Sequence, residues 1–258
     1  MIKPIDNYVT GGSGFLGQRL LERLRGITID VPHTLLSCWR FEPFRRFFYL
    51  SAYGNMADHT DVGEMIRANV ENVGRTLRGI IGRDELQPES FLFVSSSSVT
   101  LPVQTPYSRT KKAAEEMILA SPVPGCIVRP YSVIGRGEQP QHLIPTLIRS
   151  CMEGAPMNLV PDATHDFIDV DDVMDGMLHC ANNGVTGIVE FGSGKPTTNG
   201  EVLRLVEEAC GRAANIAKVV PKLREFDSPD WFCRKPDWYG KKSLKQSVQE
   251  MVEAYRAH

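Results

Sequence analysis

The sequence predicts an α/β protein, a doubly wound parallel sheet with a smaller C-terminal lobe. Through the first half of the 258 residues, short β-rich runs alternate with helical patterns. A glycine-rich turn lies between the first expected strand and the first expected helix. After Arg129 the chain becomes rich in glycine, proline and polar residues. An alternating βαβα pattern is typical of a parallel sheet covered by helices, and the change after Arg129 indicates a second lobe.

The first half contains five expected strands, which are DNYVT, ITIDV, FRRFFYLSA, FLFVSSS and GCIVRPYSV. Three helical patterns lie among them, which are FLGQRLLERLRG, GEMIRANVENVGRTLRGII and TPYSRTKKAAEEMILAS. The stretch 31–46 is too short for a complete helix and strand. We therefore expect the sheet to lack one strand–helix unit at this point.

The later part of the chain predicts a smaller lobe that returns to the sheet near 167–173 and 187–192. GIVEFGSGK is an expected strand, and Asn199 is the expected cap of the helix GEVLRLVEEACG. Ser243 is the expected cap of a terminal helix. Its apolar residues recur at helical spacing and are Leu244, Val248, Met251, Val252 and Tyr255.

Composition and charge narrow the classes of function. Hydrophobic residues make up 42% of the chain, and the net charge is −2 with a pI of about 6.3, so no basic field favours a nucleic acid or membrane partner. The start, MIKPIDNYVTGG, lacks the apolar core of a signal peptide, and we expect a cytoplasmic protein. The six cysteines have no metal-type spacing, so we expect them reduced, mostly buried, and no metal site.

The glycine turn VTGGSGFLG has the spacing of a phosphate-binding turn. Gly11, Gly14 and Gly17 allow a tight turn, a close approach of backbone to a pyrophosphate, and close packing of helix on strand. The following helix offers free N–H groups to the phosphates, and Phe15 and Leu16 lie in its first turn. The pattern predicts a Rossmann-type dinucleotide site within residues 1–130, completed by parts of 162–192.

The choice of dinucleotide depends on the end of the second strand. Asp30, at the end of ITID, would bind the adenosine ribose and favour NAD, although it follows Gly17 by only thirteen positions. A second alignment takes TLLSCWR as the strand and places Arg40 near the ribose, which would accommodate the extra phosphate of NADP. We expect NAD, with NADP as the alternative.

The stretch SSSSVTLPVQTPYSRTK brings together candidates for proton transfer. Tyr107 and Lys111 are one helical turn apart and share a face. An ammonium near a phenol favours the phenolate and lowers its pKa toward the working range. A serine from the preceding strand end could hydrogen-bond the same substrate oxygen. Such a set suits proton movement on a carbinol or carbonyl oxygen while a nicotinamide exchanges hydride.

With these motifs in order, the chain resembles the extended short-chain dehydrogenase/reductases, in their NAD-dependent epimerase/dehydratase branch that modifies nucleotide sugars. The matching segments span most of the chain and are TGGSGFLG, YLSA, ANVENVGRTL, FVSSSS, PYSRTK, VRPYSVIGRGEQ and HDFIDVDDV. The resemblance implies Tyr107 as the acid–base, Lys111 as its electrostatic partner, and Ser96 as the catalytic serine, with Ser97 as the alternative.

The resemblance also implies the contacts of cofactor and substrate. Leu50, Ser51 and Ala52 would pass under the cofactor, and Arg129 to Ser132 would approach the nicotinamide and the sugar, Tyr131 on the cofactor side. The implied substrate-binding residues are Ser97, Ser132, Arg136 and Arg224. They would bind a nucleotide-diphosphate sugar in a lobe made of 131–161 and 193–258. Helices near 60–80 and 107–121 would form a homodimer.

Departures from the family pattern narrow the expected reaction. Ser97 and Ser98 replace the Asp–Glu pair of the dehydratases, which disfavours dehydration. Only nine positions separate Ser98 from Tyr107, as in some 4-keto-sugar reductases. Ser132 and His165 replace an asparagine and an arginine. We expect redox chemistry at C4 of a nucleotide-diphosphate hexose, with a preference for reduction. The alternatives are a 4-epimerase with tightly bound NAD and a non-catalytic dinucleotide sensor.

Overall fold

A computed structural model describes residues 5–36, 38–56, 58–221 and 231–257. The chain divides into two compact units. The first comprises Met1–Arg129 and Met174–Val189, and the second comprises Pro130–Val173 and Glu190–His258.

The helices and strands largely follow the sequence pattern. The described strands are β1 (Ile5–Thr10), β2 (Thr28–Val31), β3 (Phe44–Tyr49), β4 (Ser90–Val94), β5 (Gly125–Pro130), β6 (Ser132–Ile134), β7 (Met157–Leu159), β8 (Thr164–Asp169), β9 (Gly187–Gly192), β10 (Pro196–Thr198), β11 (Ile216–Val219) and β12 (Trp238–Tyr239). The α-helices are α1 (Phe15–Arg23), α2 (Val62–Ile66), α3 (Asn72–Ile80), α4 (Pro106–Leu119), α5 (Leu143–Glu153), α6 (Val170–Asn182), α7 (Asn199–Cys210) and α8 (Leu244–Arg256).

The central sheet is mostly parallel and has seven strands, in the order β12-β9-β5-β4-β3-β1-β2. Strand β1 pairs in parallel with β2 and β3, and β4 pairs in parallel with β3 and β5. This confirms the predicted doubly wound α/β fold. Strand β2 is an edge strand, and between it and β3 the described residues form only a short 3₁₀ turn, His33–Leu35. The sheet therefore lacks one strand–helix unit, as expected.

The core of the first unit is aromatic. Tyr8, Phe44, Phe47 and Phe91 come from three neighbouring strands, and their rings pack with centroids 5.0–6.0 Å apart. Every residue of β4, SFLFV, is buried, because helices cover both faces of a parallel sheet. The sheet thereby fixes the positions of its carboxyl ends, where the candidate site residues follow β1, β3 and β4.

The predicted long helix from residue 63 to 81 is interrupted. A π-helical turn, Arg67–Glu71, separates α2 from α3. This π-helical turn directs Asn69 inward. Its side chain accepts from the Tyr53 N–H at 2.9 Å. It donates to the Tyr53 carbonyl at 2.7 Å and to Thr110 Oγ1 at 2.9 Å. A π-bulge of this kind re-aims a side chain that a regular helix would direct elsewhere. The hydrogen bonds of Asn69 thereby connect the loop after β3 to helix α4.

The second unit has its own core and two small sheets. Strand β8 lies between β10 and β6, and β11 pairs with β7. Helices α5, α7 and α8 pack around buried residues such as Leu147, Val206 and Val248. Ser243 caps α8, as predicted. The predicted cap Asn199 is wrong: Thr198 caps α7 in a capping box with Glu201, because its hydroxyl and the Glu201 carboxylate satisfy each other's backbone N–H groups.

Three aspartates of the HDFIDVDDV segment stabilise the second unit by accepting hydrogen bonds. Asp166, which is fully buried, accepts from the N–H groups of Ser193, Gly194 and Cys233 and from the Ser193 hydroxyl. Asp169 accepts from the Ser247 hydroxyl at 2.6 Å, and Asp172 accepts from two backbone N–H groups after β12. These carboxylates hold distant parts of the chain on β8 and α6.

The described residues contain no helix long and apolar enough to cross a membrane. They also contain no cluster of three His, Cys, Asp or Glu side chains that could hold a metal ion. All six cysteines are free thiols, five of them buried and Cys38 exposed, which confirms the prediction that most are core residues.

Candidate active site

The glycine turn between β1 and α1 is closely packed. Gly11 has φ +78°, and a Cβ there would lie 2.8 Å from the Ser51 nitrogen. A Cβ on Gly17 would lie 2.0 Å from the Gly11 carbonyl oxygen, whereas one on Gly14 would lie 3.4 Å from it. Gly11 and Gly17 are thus required by the turn itself. Gly14 is exposed, and the packing leaves space above it for another group.

The N-terminus of α1 presents free backbone N–H groups. No side chain of the described residues caps it, and its first turn, which includes Phe15 and Leu16, contains no acidic residue. Uncapped N–H groups and the helix dipole favour an anion. This end of the helix therefore suits a phosphate group.

Asp30 lies beside the glycine turn. It is exposed near the end of β2, and its Oδ1 accepts from the Gly12 N–H at 3.3 Å. Arg40 lies in the loop that precedes β3, outside any strand. The strand ITID is confirmed as the second strand, and of the two alternatives Asp30 is the residue that the structure places at the turn.

The residues that follow β3, Leu50 and Ser51, hydrogen-bond to Thr10 at the start of the glycine turn. Leu50 N–H donates to the Thr10 carbonyl at 3.1 Å, and Ser51 N–H to Thr10 Oγ1 at 3.3 Å. The buried Ser51 hydroxyl has no hydrogen-bond partner among the described residues, while Ala52 is exposed. An unpaired buried hydroxyl beside a phosphate-type turn suggests that a ligand completes it.

Lys111 is buried under the end of β4. It is 1% exposed, its Nζ donates to the Val94 carbonyl at 2.6 Å, and it lies 4.0 Å from the centroid of the Phe93 ring. Burial lowers the pKa of Lys111 to about 7, and the charge of Glu115 opposes that shift. The hydrogen bond fixes the α4 face that carries Tyr107 and Lys111 against the strand end two residues before Ser96.

Tyr107 lies in the first turn of α4, with its ring next to Gly54, where a Cβ would approach Tyr107 Cδ2 to 3.1 Å. Burial raises the pKa of Tyr107 to about 12. This direction is opposite to the one expected from the Tyr–Lys spacing, because the apolar surroundings penalise the phenolate. In this geometry the phenol form of Tyr107 is favoured over the phenolate at physiological pH.

The serines after β4 differ in exposure. Ser96 is half-buried, caps a 3₁₀ turn by accepting from the Ser98 N–H at 3.1 Å, and has its Oγ 2.8 Å from Ser98 Oγ. Ser97, the alternative catalytic serine and an expected substrate-binding residue, is only 1% exposed. Ser96 is therefore better placed than Ser97 to contact a substrate.

A buried ion pair next to these residues was not predicted. Arg129, the first of the residues expected to approach the nicotinamide and the sugar, makes a bidentate pair with Glu115 through its guanidinium. The Glu115 carboxylate also accepts from the Ser95 hydroxyl at 2.6 Å. The one sequence feature that could have indicated this ion pair is the position of Glu115, one helical turn after Lys111.

The second unit holds the other predicted contacts. Tyr131 is buried with its ring centroid 5.5 Å from that of Trp231, and Ser132 Oγ lies 3.3 Å from His165 Nδ1. Arg136 is exposed between two glycines of positive φ. Arg224 lies outside the described residues.

The residues present fit NAD. The first unit supplies a glycine turn with room above Gly14, an uncapped helix N-terminus, an unpaired Ser51 hydroxyl and a carboxylate at the expected ribose position. These are the donors and acceptors that a dinucleotide requires from a Rossmann-type site.

Comparisons with known proteins agree with this fold. The sequence model of the "NAD dependent epimerase/dehydratase family" matches residues 32–192, more than half of the chain. The GDP-6-deoxy-D-mannose reductase of Pseudomonas aeruginosa is 25% identical over 265 residues, with 85% of each chain covered.

Two solved structures show the same architecture at low identity. MoeE5 in complex with UDP-glucose and NAD superposes with a TM-score of 0.80 at 22% identity, over 98% of this chain and 99% of that chain. The UDP-glucose 4-epimerase of Thermotoga maritima gives a TM-score of 0.81 at 17% identity, with the same coverage. With the family match and the dinucleotide-type turn together, the chain belongs to the NAD dependent epimerase/dehydratase family of enzymes.

Proposed function

We propose that the protein is an NAD-dependent oxidoreductase acting at C4 of a nucleotide-diphosphate hexose, preferentially as a 4-keto-sugar reductase. The observation that carries the proposal is the 2.6 Å hydrogen bond from Lys111 Nζ to the Val94 carbonyl. It fixes the Tyr107–Lys111 face of α4 against the strand end that leads to Ser96. A phenol, an amine and a hydroxyl are thereby held on neighbouring elements of the first unit.

Each of these residues has a role in the proposed reaction. Bound NADH supplies the hydride. Tyr107, with a pKa of about 12, donates its proton to the C4 oxygen as the carbonyl is reduced. Ser96 donates a hydrogen bond to the same oxygen. Lys111, with a pKa of about 7, holds a fractional positive charge at neutral pH that stabilises the phenolate left behind.

Burial of Tyr107 disfavours the phenolate, which agrees with reduction as the net reaction. A reductase needs a proton donor at its first chemical step, whereas a 4-epimerase must first remove a proton from the C4 hydroxyl. Two further observations favour a reductase: the short stretch between Ser98 and Tyr107, and the resemblance to a curated reductase. The 4-epimerase is the second candidate, favoured by the structural likeness to the Thermotoga maritima enzyme.

Separate roles for the two units follow from this proposal. Residues 1–130, with parts of 162–192, would hold the dinucleotide through Gly11, Gly14, Gly17, Ser51 and Asp30. Residues 131–161 and 193–258 would hold the nucleotide sugar, with Ser132 and Arg136 as candidate contacts. The carboxylate of Asp30 favours NAD over NADP, because the 2′-phosphate of NADP would meet a negative charge.

We also propose a homodimer, formed through α3 and α4. A groove between these helices is lined by apolar and charged side chains that include Arg75, Arg78, Ile81, Met117 and Ala120. Ile81 is 40% exposed in this groove. Covering it would remove apolar surface from water.

Two assays on the purified protein test the function. The first mixes GDP-4-keto-6-deoxy-mannose with NADH or NADPH and follows the absorbance of the reduced nicotinamide. The second incubates UDP-glucose or UDP-glucuronic acid without added cofactor and looks for the C4 epimer. Turnover in the first assay is expected. Turnover only in the second, with nicotinamide retained by the protein, would establish the epimerase, and no turnover with any 4-keto or 4-hydroxy nucleotide sugar would contradict both.

A further inference from the structure

A fully buried carboxylate lies behind the proposed reacting groups. Glu115 accepts two hydrogen bonds from Arg129, from Nε to Oε1 at 2.8 Å and from Nη2 to Oε2 at 2.6 Å. Oε1 also accepts from the Ser95 hydroxyl at 2.6 Å, and the exposed Lys112 ammonium lies 3.5 Å from Oε2. A buried charge paired bidentately and hydrogen-bonded in this way is held in one geometry.

The contacts of Glu115 join α4 to β5 and to the stretch after β4, and the reacting groups proposed above lie on α4 and in that stretch. Arg129 lies on β5, Ser95 directly follows β4, and Glu115 lies on α4 one turn after Lys111. Lys111 in turn donates to Val94, the residue before Ser95. Two adjacent residues of the strand end are therefore tied to α4, one by Lys111 and one by Glu115, and Ser96 follows immediately.

Glu115 is the acidic residue that lies one helical turn from Lys111 on α4. On α4 the titratable neighbours are Tyr107 and Glu115. From β4 it meets the Val94 carbonyl and the Phe93 ring, and from β5 the guanidinium of Arg129 faces Glu115. Burial disfavours the ammonium, while the negative charge of Glu115 favours it. Removing this carboxylate should therefore shift Lys111 further toward the neutral amine.

We propose that Glu115 is a positioning residue of the Ser96–Tyr107–Lys111 site: its carboxylate, hydrogen-bonded to Ser95, places a negative charge one helical turn from the Lys111 amine and fixes the strand end that presents Ser96. The inference rests on the proposed function for its catalytic meaning. Its physical content, the coupling of Glu115 to Lys111, can be measured without any substrate.

The test is the titration of Lys111 in full-length protein labelled with [ε-¹³C]lysine, followed by NMR. Lys111→Met assigns the signal. In Glu115→Gln the midpoint of the Lys111 titration should fall by about one pH unit or more. With a substrate that the wild type turns over, the pH at which the rate of Glu115→Gln is half-maximal should also be lower than that of the wild type. Ser95→Ala is the matched control, since it removes one hydrogen bond to Glu115 but retains the charge, and its Lys111 midpoint should stay at the wild-type value.

The single variant leaves Arg129 buried without its counter-charge and can fail to fold. The double variant Glu115→Gln/Arg129→Met removes both charges and should retain the near-UV circular dichroism of a folded protein. Its reference is Arg129→Met, relative to which the Lys111 midpoint of the double variant should be lower, since only the Glu115 charge differs between them. A folded variant without the Glu115 carboxylate whose Lys111 midpoint equals that of its reference protein would overturn the inference. Lack of turnover by the wild type would contradict the proposed function, but the Lys111 titration would still test the coupling of Glu115 to Lys111.

Discussion

Asp30 Oδ1 accepts a hydrogen bond from the backbone N–H of Gly12, at 3.3 Å. The contact holds a carboxylate from β2 against the glycine turn between β1 and α1. A carboxylate at this position can accept from the two hydroxyls of an adenosine ribose and repels a 2′-phosphate.

Replacing this carboxylate should change the choice of dinucleotide. Asp30→Ser is expected to weaken NAD binding by about tenfold and to tighten NADP binding, because a hydroxyl removes the charge repulsion. Isothermal titration calorimetry with both dinucleotides measures the ratio of the Kd values. Asp6→Asn is the control, since Asp6 also accepts a backbone N–H, from Ile27 at 2.9 Å, but at the opposite end of β1. An unchanged ratio in Asp30→Ser would remove Asp30 from the cofactor site.

Two glycines of the same turn should behave differently. Gly17→Ala places a Cβ 2.0 Å from the Gly11 oxygen and should lower the free energy of unfolding by about 3 kcal/mol or more. Gly14→Ala meets that oxygen at an ordinary 3.4 Å and should retain wild-type stability. It should nevertheless weaken NAD binding, since the methyl group fills the space expected for the pyrophosphate. Chemical denaturation and calorimetry separate the two effects; equal losses of stability would contradict this assignment.

Lys111 makes stability depend on pH in a defined direction. Its pKa falls from the ordinary 10.5 to about 7 on folding, so between these values the unfolded chain binds one more proton than the folded protein. The free energy of unfolding contributed by this group therefore rises with pH across that window, and the destabilisation is complete below about pH 7. Lys111→Met should be more stable than the wild type at pH 6, by several kcal/mol at most, and this advantage should shrink toward pH 10. Thermal unfolding across this range measures it, and an advantage that grows with pH would show that Lys111 is not buried as an amine.

The four-donor site of Asp166 should be a major source of stability in the second unit. Asp166→Ala leaves three backbone N–H groups and one hydroxyl without their acceptor, so the free energy of unfolding should fall by about 3 kcal/mol or more. Ser193→Ala, which removes only the hydroxyl, should cost about 1 kcal/mol. Urea denaturation of the two variants compares them. A similar small loss in both would mean that the backbone contacts of Asp166 contribute little.

Features specified by neighbouring residues could be predicted from the sequence. The glycine turn, the strand ITID, the order of strands and helices and the cap Ser243 each depend on a short segment and its periodicity. The short stretch 31–46 also predicted the missing unit of the sheet, because a helix and a strand need more residues than it contains.

Features that depend on distant residues could not be predicted. The pairing of Glu115 with Arg129 joins α4 to β5, and the Asp166 contacts join β8 to residues far along the chain. The Tyr107–Lys111 spacing predicted a lowered phenol pKa, but burial, a property of the folded environment, raises it. The π-helical turn at Asn69 likewise reflects tertiary hydrogen bonds that periodicity does not contain.

Tyr107→Phe tests the central proposal most directly, because it removes one hydroxyl and retains the ring beside Gly54. The variant should bind NAD within a few-fold of the wild type, measured by calorimetry. In a single turnover with NADH and a 4-keto nucleotide sugar, its rate should fall by about 10²-fold to 10⁴-fold. Wild-type rates in a folded Tyr107→Phe protein would contradict the account, since the proton would then come from another group.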